Sequence, residues 1–401
     1  MEKQTRILVC GGGNGAHCLA VTAAALKNVE VHIMTLFKDE AKRWSDIVGD
    51  GGISAEVTTS DGKKSEVTGK PRLITNNPEA AMEGVDAVFF VVPAFAHQQY
   101  FDAILKYIKP NTIIVGMPSQ AGFEFQAFKS LKSVSTYAII SMESLPWACR
   151  VVEFGKRVQL LGYKDVLGVS VVSAGKGNYK MPPLEYAQAI LGPKPHLELI
   201  QNYLAVNLMA KSIVHPPILY GKWKDWDGKP LEEAPLFYQG IDDIQESLLT
   251  KVSDEVLETA AEINRQRKDL DMTKVIHIYD WYKVYYKDQI SDNSSLQACM
   301  KTNSAYDGLI HPMKRVEGGL VPDFNYRYLS EDIPFGLVVI KGIAECVGVK
   351  TPTMDTVIAW GQKKLGKEYI IGSSLTGKDV SSTRAPQAYG FNTLEDVIGH
   401  L

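Results

Sequence analysis

The chain has 401 residues, 45% of them hydrophobic and 22% charged, with a formal net charge of -3; that is enough for two domains, each with its own core. So slight an acidic balance, without a long basic run, excludes the electrostatic footprint of a nucleic-acid or anionic-membrane binder and points to a small-molecule partner. The five cysteines, Cys10, Cys18, Cys149, Cys299 and Cys346, are scattered, with no CxxC pair and no histidine cluster at ligand spacing, so no metal site and no disulfide framework are expected.

The opening "MEKQTRILVCGGG" is too poor in apolar residues for a secretory signal, and no apolar stretch approaches membrane-spanning length, so the cytosol is the expected compartment and no membrane contact is expected. Strand-like runs then recur with helical patterns between them: "RILVC" at 6–10, "VEVHIMTL" at 29–36, "DAVFFVV" at 86–92, "NTIIVGM" at 111–117 and "YAIISM" at 137–142. This alternation predicts βαβ units and a mostly parallel sheet. Alternating β-formers around Asp61-Gly62, within 54–74, read as a hairpin inserted at that sheet's edge.

Between the first strand and its helix lies Gly11-Gly12-Gly13-Asn14-Gly15-Ala16, which fits the dinucleotide fingerprint G-x-G-x-x-A. Gly11 makes the tight turn out of the strand, Gly13 lets backbone approach a pyrophosphate, and Ala16 allows close helix–strand packing. The helix that follows offers free N–H groups and a positive dipole end to the phosphates. A carboxylate for the adenosine ribose is due about 20 residues further on, but the second strand runs out into Phe37 and Lys38, and the first acids are Asp39 and Glu40. With Lys38, Lys42 and Arg43 near, the residues by themselves leave NADH and NADPH both open.

Two later loops fall at strand C-terminal ends, where a loop passes the nicotinamide end of a bound cofactor. "VVPAFAHQQYF" at 91–101 carries Pro93 and Ala94, and "GMPSQAGFEF" at 116–125 offers Ser119 and Gln120 as hydrogen-bonding groups. Near 175–200 glycines and prolines accumulate, and beyond them the pattern is helical, as in 242–268 with its three- and four-residue apolar spacing. The expected organisation is a Rossmann-type α/β dinucleotide-binding domain over 1–200 and an all-helical domain over 201–401.

In the second half His215 precedes two prolines that force a helix start or kink. Such a histidine can lie exposed in a cleft, or serve only structure. Asp332, just before Ile-Pro, is suited to N-cap the next helix. Arg327 stands five residues before it, a spacing a regular helix would splay and a turn could bring together.

"CGGGNGAH" at 10–17, "PAFAH" at 93–97, "PSQAGFEF" at 118–125, "LPWACR" at 145–150, "GLIHP" at 308–312, "RYLSEDIP" at 327–334 and "LTGKDV" at 375–380 together resemble the opine dehydrogenases of invertebrate muscle, the octopine-forming members in particular. The resemblance runs nearly end to end and in order. It implies an NAD-binding domain followed by an opine dehydrogenase domain, an active site in the cleft between them, NAD (NADH) as cofactor, and a monomer. The implied reaction is condensation of pyruvate with an amino acid and reduction of the imine by NADH, regenerating NAD. It further implies His215 as acid/base, Asp332 as its orienting carboxylate, and Arg327 in the network or on a substrate carboxylate. By the same resemblance Gln120 faces the keto acid, and Glu143, Cys149, Trp281 and Asn303 face the amino acid. Glu143 suits a guanidinium or an ammonium, which favours arginine over alanine, glycine, taurine or β-alanine. A two-domain hydroxy-acid or polyol-phosphate dehydrogenase and a non-catalytic NAD-sensing protein are the competing readings.

Overall fold

The structure, a computed structural model, describes residues 5–58 and 63–399. It divides into two compact units, with the break between Val206 and Asn207.

The first unit runs β1 (Thr5–Cys10), α1 (Asn14–Ala24), β2 (Val29–Met34), α2 (Glu40–Val48), β3 (Ile53–Thr58), β4 (Lys64–Gly69), β5 (Leu73–Thr75), α3 (Pro78–Ala81) and β6 (Ala87–Phe90). It continues through α4 (His97–Ile104), β7 (Thr112–Gly116), α5 (Phe123–Leu131), β8 (Tyr137–Met142), β9 (Trp147–Glu153), β10 (Arg157–Tyr163), β11 (Val166–Ala174), α6 (Pro183–Leu191) and β12 (His196–Leu199). Eight strands form one sheet in the order β12-β11-β8-β7-β6-β1-β2-β5. All neighbours are parallel except β11 against β8. The order reverses at β1, so the turn after β1 opens at the topological switch point where such sheets bind ligands. Ile7 to Cys10 are wholly buried, which is why β1 reads as an unbroken apolar run rather than an alternating one.

The hairpin expected at the main sheet's edge belongs elsewhere. β3 and β4 pair antiparallel, but β3 also pairs in parallel with β10, giving a second sheet β4-β3-β10-β9. The turn at Asp61-Gly62 lies outside the described residues. The alternation of β3 is the reason for this placement: Ile53, Ala55 and Val57 are buried while the residues between them are not, so the strand needs one apolar face to cover. That face is α1, which packs on strands of the second sheet. Covered on both sides, α1 can be apolar nearly all round, and its sequence NGAHCLAVTAA carries no Asp, Glu, Lys or Arg.

Helix α7 (Tyr203–Leu208) leads into the second unit, which holds α8 (His215–Trp223), α9 (Asp243–Gln266), α10 (Ile278–Tyr285), α11 (Leu296–Lys301), strands β13 (Met313–Val316) and β14 (Gly319–Pro322), α12 (Arg327–Ser330), α13 (Val338–Val347), α14 (Pro352–Leu365) and α15 (Leu394–Ile398). The unit is helical, as expected, with one two-stranded hairpin added. α9 starts on a capping box between Asp242 and Gln245. It buries Leu249, Val252, Val256, Ala260 and Ile263 along one stripe, against which α8, α13 and α14 pack. Its buried Glu255 accepts the Thr353 and Met354 N–H groups at 2.6 and 2.9 Å, satisfying two donors at the start of α14 that have no partner within that helix. No helix among the described residues is long and apolar enough to cross a membrane.

Candidate active site

The glycine turn sits where β1 delivers it, and each glycine meets a different neighbour. Gly11 has φ +118, and a Cβ there would fall 2.6 Å from the Val91 carbonyl oxygen, so only glycine lets the two strands close. Gly13 is the opposite case: apart from its two chain neighbours, no atom of the described residues lies within 4 Å of the position its Cβ would take. It has extended backbone, and it caps α1 without a side-chain hydrogen bond. The result is an open cradle at a helix N-terminus whose first N–H groups lack intrahelical acceptors, a site fitted to a pyrophosphate. No acid stands in the first turn of α1 to oppose an anion.

The turn is held from behind. Asn14 accepts the Val151 N–H at 2.8 Å, tying it to β9. Buried His17 donates from Nδ1 to the Gly13 carbonyl and accepts the Gly155 N–H at Nε2, each at 3.0 Å. Its ring stacks on Trp44 at 3.8 Å. Burial pulls its pKa down to about 4, so it serves as a neutral strut. Gly15 and Ala16 are buried against Val91, Leu145 and the core.

The carboxylate missing from the end of β2 has a counterpart on α2. The Glu40 carboxylate lies directly over Gly12 and accepts a hydrogen bond from the buried Thr35 hydroxyl. Phe37 stands 63% exposed beside it, with the Lys38 ammonium over its ring. Helical geometry explains why spacing hid Glu40: β2 ends early, and the first turn of α2 folds the carboxylate back.

At the other strand ends, Pro93 is exposed and Ala94 buried in the loop after β6. Gln120, after β7, is part-exposed and takes a left-handed φ of 58. Glu143, just past β8, is part-exposed and accepts the Gly168 N–H at 3.3 Å. Cys149 on β9 faces α1, where the Cys18 thiol holds it below the ordinary thiol range.

In the second unit the chain brings His215 and Asp332 together across 117 residues, Nδ1 to Oδ2 at 2.6 Å. Asp332 makes no side-chain capping bond to the turn it precedes, because its carboxylate is committed to the histidine. A carboxylate only accepts, so Nδ1 carries the hydrogen of this bond and Nε2 is the nitrogen left for a second partner. Nε2 meets the Tyr238 hydroxyl at 2.7 Å, and the imidazole stacks on Tyr328 at 3.9 Å. Arg327 does not join this pair: its guanidinium is 61% exposed and its Nε lies 3.5 Å from Glu331. The turn thus brings its backbone near Asp332, whose N–H it accepts, and leaves its cationic head reaching outward.

Trp281 stacks with Tyr285 at 5.0 Å and meets Tyr282 and Tyr286 edge-on. Asn303 is fully buried and caps the turn at Ser304–Tyr306 by accepting from Ala305, while its Nδ2 finds no hydrogen-bond partner. Tyr306 stacks on Tyr238 at 3.9 Å, so an aromatic wall runs from Trp281 to His215. Tyr238, Tyr328 and His17 were not singled out in the sequence, and Glu40 was noted only as an acid beyond the expected position. His17 and Tyr328 had a local signal, their places in "GGGNGAH" and "RYLSEDIP". Among the described residues no His/Cys/Asp/Glu cluster could hold a metal ion.

A doubly wound sheet with an open phosphate cradle, joined in one chain to a helical unit holding a histidine–carboxylate pair, defines a dinucleotide-dependent dehydrogenase. The profile of the family described as NAD/NADP octopine/nopaline dehydrogenase, alpha-helical domain, matches residues 199–365. Opine dehydrogenase of Haliotis discus hannai is 51% identical over 99% of both chains, and octopine dehydrogenase of Pecten maximus 47% over 98% of both. A solved structure of octopine dehydrogenase with NADH and L-arginine superposes with a TM-score of 0.94 at 46% identity, covering 98% of both chains. The chain belongs to the opine dehydrogenase family.

Proposed function

We propose that the protein condenses pyruvate with the α-amine of an amino acid, arginine foremost, and reduces the resulting imine with NADH to give an opine, water and NAD. The observation that carries this reading is the His215–Asp332 pair at 2.6 Å in a chain whose Gly13 cradle is open to a pyrophosphate. When bound, NADH supplies the hydride. The protein's residues do the rest. Gly11, Gly13, Asn14, Gly15 and Ala16 shape the phosphate site, Glu40 accepts from the adenosine ribose hydroxyls, and Phe37 offers its exposed ring to the adenine, with Pro93 and Ala94 on the nicotinamide side. Condensation of the neutral amine to the protonated imine consumes one proton, and His215 supplies it. Asp332 holds the Nδ1–H tautomer and stabilises the imidazolium that forms when the histidine is charged.

For the substrates, Gln120 holds the keto acid and Arg327 its carboxylate, for which an exposed guanidinium is suited. Glu143 takes the guanidinium of arginine, and Cys149, Trp281 and Asn303 line the amino-acid side. The chain acts as a monomer, which sedimentation velocity tests. The decisive assay is NADH oxidation with pyruvate and a panel of arginine, alanine, glycine, β-alanine and taurine, beside a control without amine. Oxidation that depends on arginine supports the proposal. Oxidation with pyruvate alone makes it a hydroxy-acid dehydrogenase instead, and none with NADH or NADPH makes it a binding protein.

A further inference from the structure

We infer that Tyr238 is a proton-relaying catalytic residue, its hydroxyl carrying the proton between His215 Nε2 and the substrate oxygen that departs as water. This rests on the condensation reading above. Both imidazole nitrogens are engaged: Nδ1 with Asp332 at 2.6 Å, Nε2 with the Tyr238 hydroxyl at 2.7 Å. Nε2 is the nitrogen left to address a substrate, and it faces a phenol.

The ring cannot easily turn to avoid that phenol, because it is stacked on Tyr328 at 3.9 Å with Phe237 5.8 Å away. Nor is Tyr238 free to swing aside. It is buried, stacked on Tyr306 at 3.9 Å and set edge-on to Phe237 at 4.8 Å. Tyr306 in turn bonds the Tyr282 hydroxyl at 3.2 Å, which fixes the stack from below. Three further segments, at Tyr282, Tyr306 and Tyr328, therefore hold one hydroxyl against one nitrogen.

With neutral His215, Nε2 accepts and the Tyr238 hydrogen points inward. With imidazolium, Nε2–H donates to the phenol oxygen, and the phenol hydrogen is released to another acceptor. In the dehydration step that acceptor is the hydroxyl oxygen of the carbinolamine. As its C–O bond breaks, the amine lone pair forms C=N, the phenol proton goes to the departing oxygen, and the Nε2 proton refills the phenol. Water leaves, His215 ends neutral, and no tyrosinate forms. Burial holds the Tyr238 hydroxyl well above the ordinary phenol range, so it passes a proton on without keeping the charge.

The test is Tyr238→Phe, which keeps the ring and its stacking and removes only the hydroxyl. Single-turnover NADH oxidation with pyruvate and the active amine is followed in mixtures of light and heavy water. The relay predicts a bowed dependence on deuterium fraction in the wild type, the mark of two protons in flight. It also predicts at least a tenfold slower, linear dependence in the variant, with the NADH dissociation constant unchanged. A structural role for Tyr238 would not alter the curvature. A linear wild-type dependence overturns the relay whether or not the variant folds, as does a variant rate within twofold of wild type. A wild type that oxidises no NADH with any amine removes the condensation reading as well, a different result from an active enzyme that ignores the loss of the hydroxyl.

Discussion

Gly13→Ala separates what the cradle does for folding from what it does for the cofactor. The backbone at Gly13 has φ -84 and ψ -172, a region open to any L-residue, and the added methyl would meet no atom of the described residues within 4 Å apart from its chain neighbours. Folding stability is therefore expected to stay within roughly 0.5 kcal/mol, as for substitutions that touch nothing. The cofactor pays instead, because a methyl group in the cradle pushes a pyrophosphate off the backbone N–H groups. Each such bond to a charged acceptor is worth about 1.5–3 kcal/mol, so losing one weakens NADH about 10- to 100-fold. Gly11→Ala is the internal contrast: at φ +118, with the Val91 carbonyl 2.6 Å from the new carbon, it lowers the unfolding midpoint itself. NADH titration by fluorescence and thermal unfolding of both variants decide the matter. A Gly13→Ala protein that binds NADH as the wild type does would refute the assignment of the open space to the pyrophosphate. A large loss of its stability would refute the claim that the space is open.

Three further outcomes follow from the same geometry. If Glu40 accepts the ribose hydroxyls as proposed, Glu40→Ala is expected to weaken NADH about tenfold or more while narrowing or reversing the preference over NADPH, since a carboxylate in that place also repels a 2'-phosphate. Equal losses for the two cofactors, titrated side by side, would count against it. Asp332→Asn, which leaves the Nδ1 contact sterically intact but removes the charge, should cost about 10²- to 10⁴-fold in kcat with the NADH KM unchanged, and His215→Gln should do the same. Near-normal turnover in either variant excludes the pair from the chemistry. Stability should fall on mild acidification, because His17 and His311 are buried and their pKa values are pulled down to about 4 and about 3. Each is neutral in the folded chain and takes a proton near pH 6.5 when unfolded, so its stabilising effect is whole above pH 6.5 and is lost as pH falls towards the folded value. For His17 this amounts to roughly 2 kcal/mol between pH 7 and pH 5. Thermal unfolding across that range should show it, and His17→Phe should flatten the slope, whatever it does to the midpoint at pH 7.

What could be read in the sequence depended on whether a residue's surroundings are written nearby. β1 and its glycine turn were legible because a strand buried on both faces must be a continuous apolar run, and because the turn's requirements fall on adjacent residues. The second sheet was not. β9 and β10 mix charges into their pattern, and the pairing of β10 with β3 joins segments some hundred residues apart, as Arg157 with Ser54. The helical stripe of α9 was legible for the same reason as β1, its period being local.

The histidine–carboxylate pair shows the boundary most sharply. His215 and Asp332 lie 117 residues apart, and nothing in their spacing marks them as partners; the motif resemblance paired them. The resemblance gave Arg327 two roles, in that network or on a substrate carboxylate, and the structure turns its guanidinium outward to Glu331 rather than to the pair. Tyr238 had neither route. In "PLFYQGID" it reads as one aromatic among many, because its meaning comes from a contact made after α8 and the loop before α9 have both been placed. A tyrosine buried for packing alone could point its hydroxyl at any acceptor that satisfies it. One aimed at the free nitrogen of a carboxylate-held histidine, between two stacked rings, has been positioned for that nitrogen. Removing the hydroxyl with the ring left in place is accordingly the perturbation whose effect packing cannot imitate.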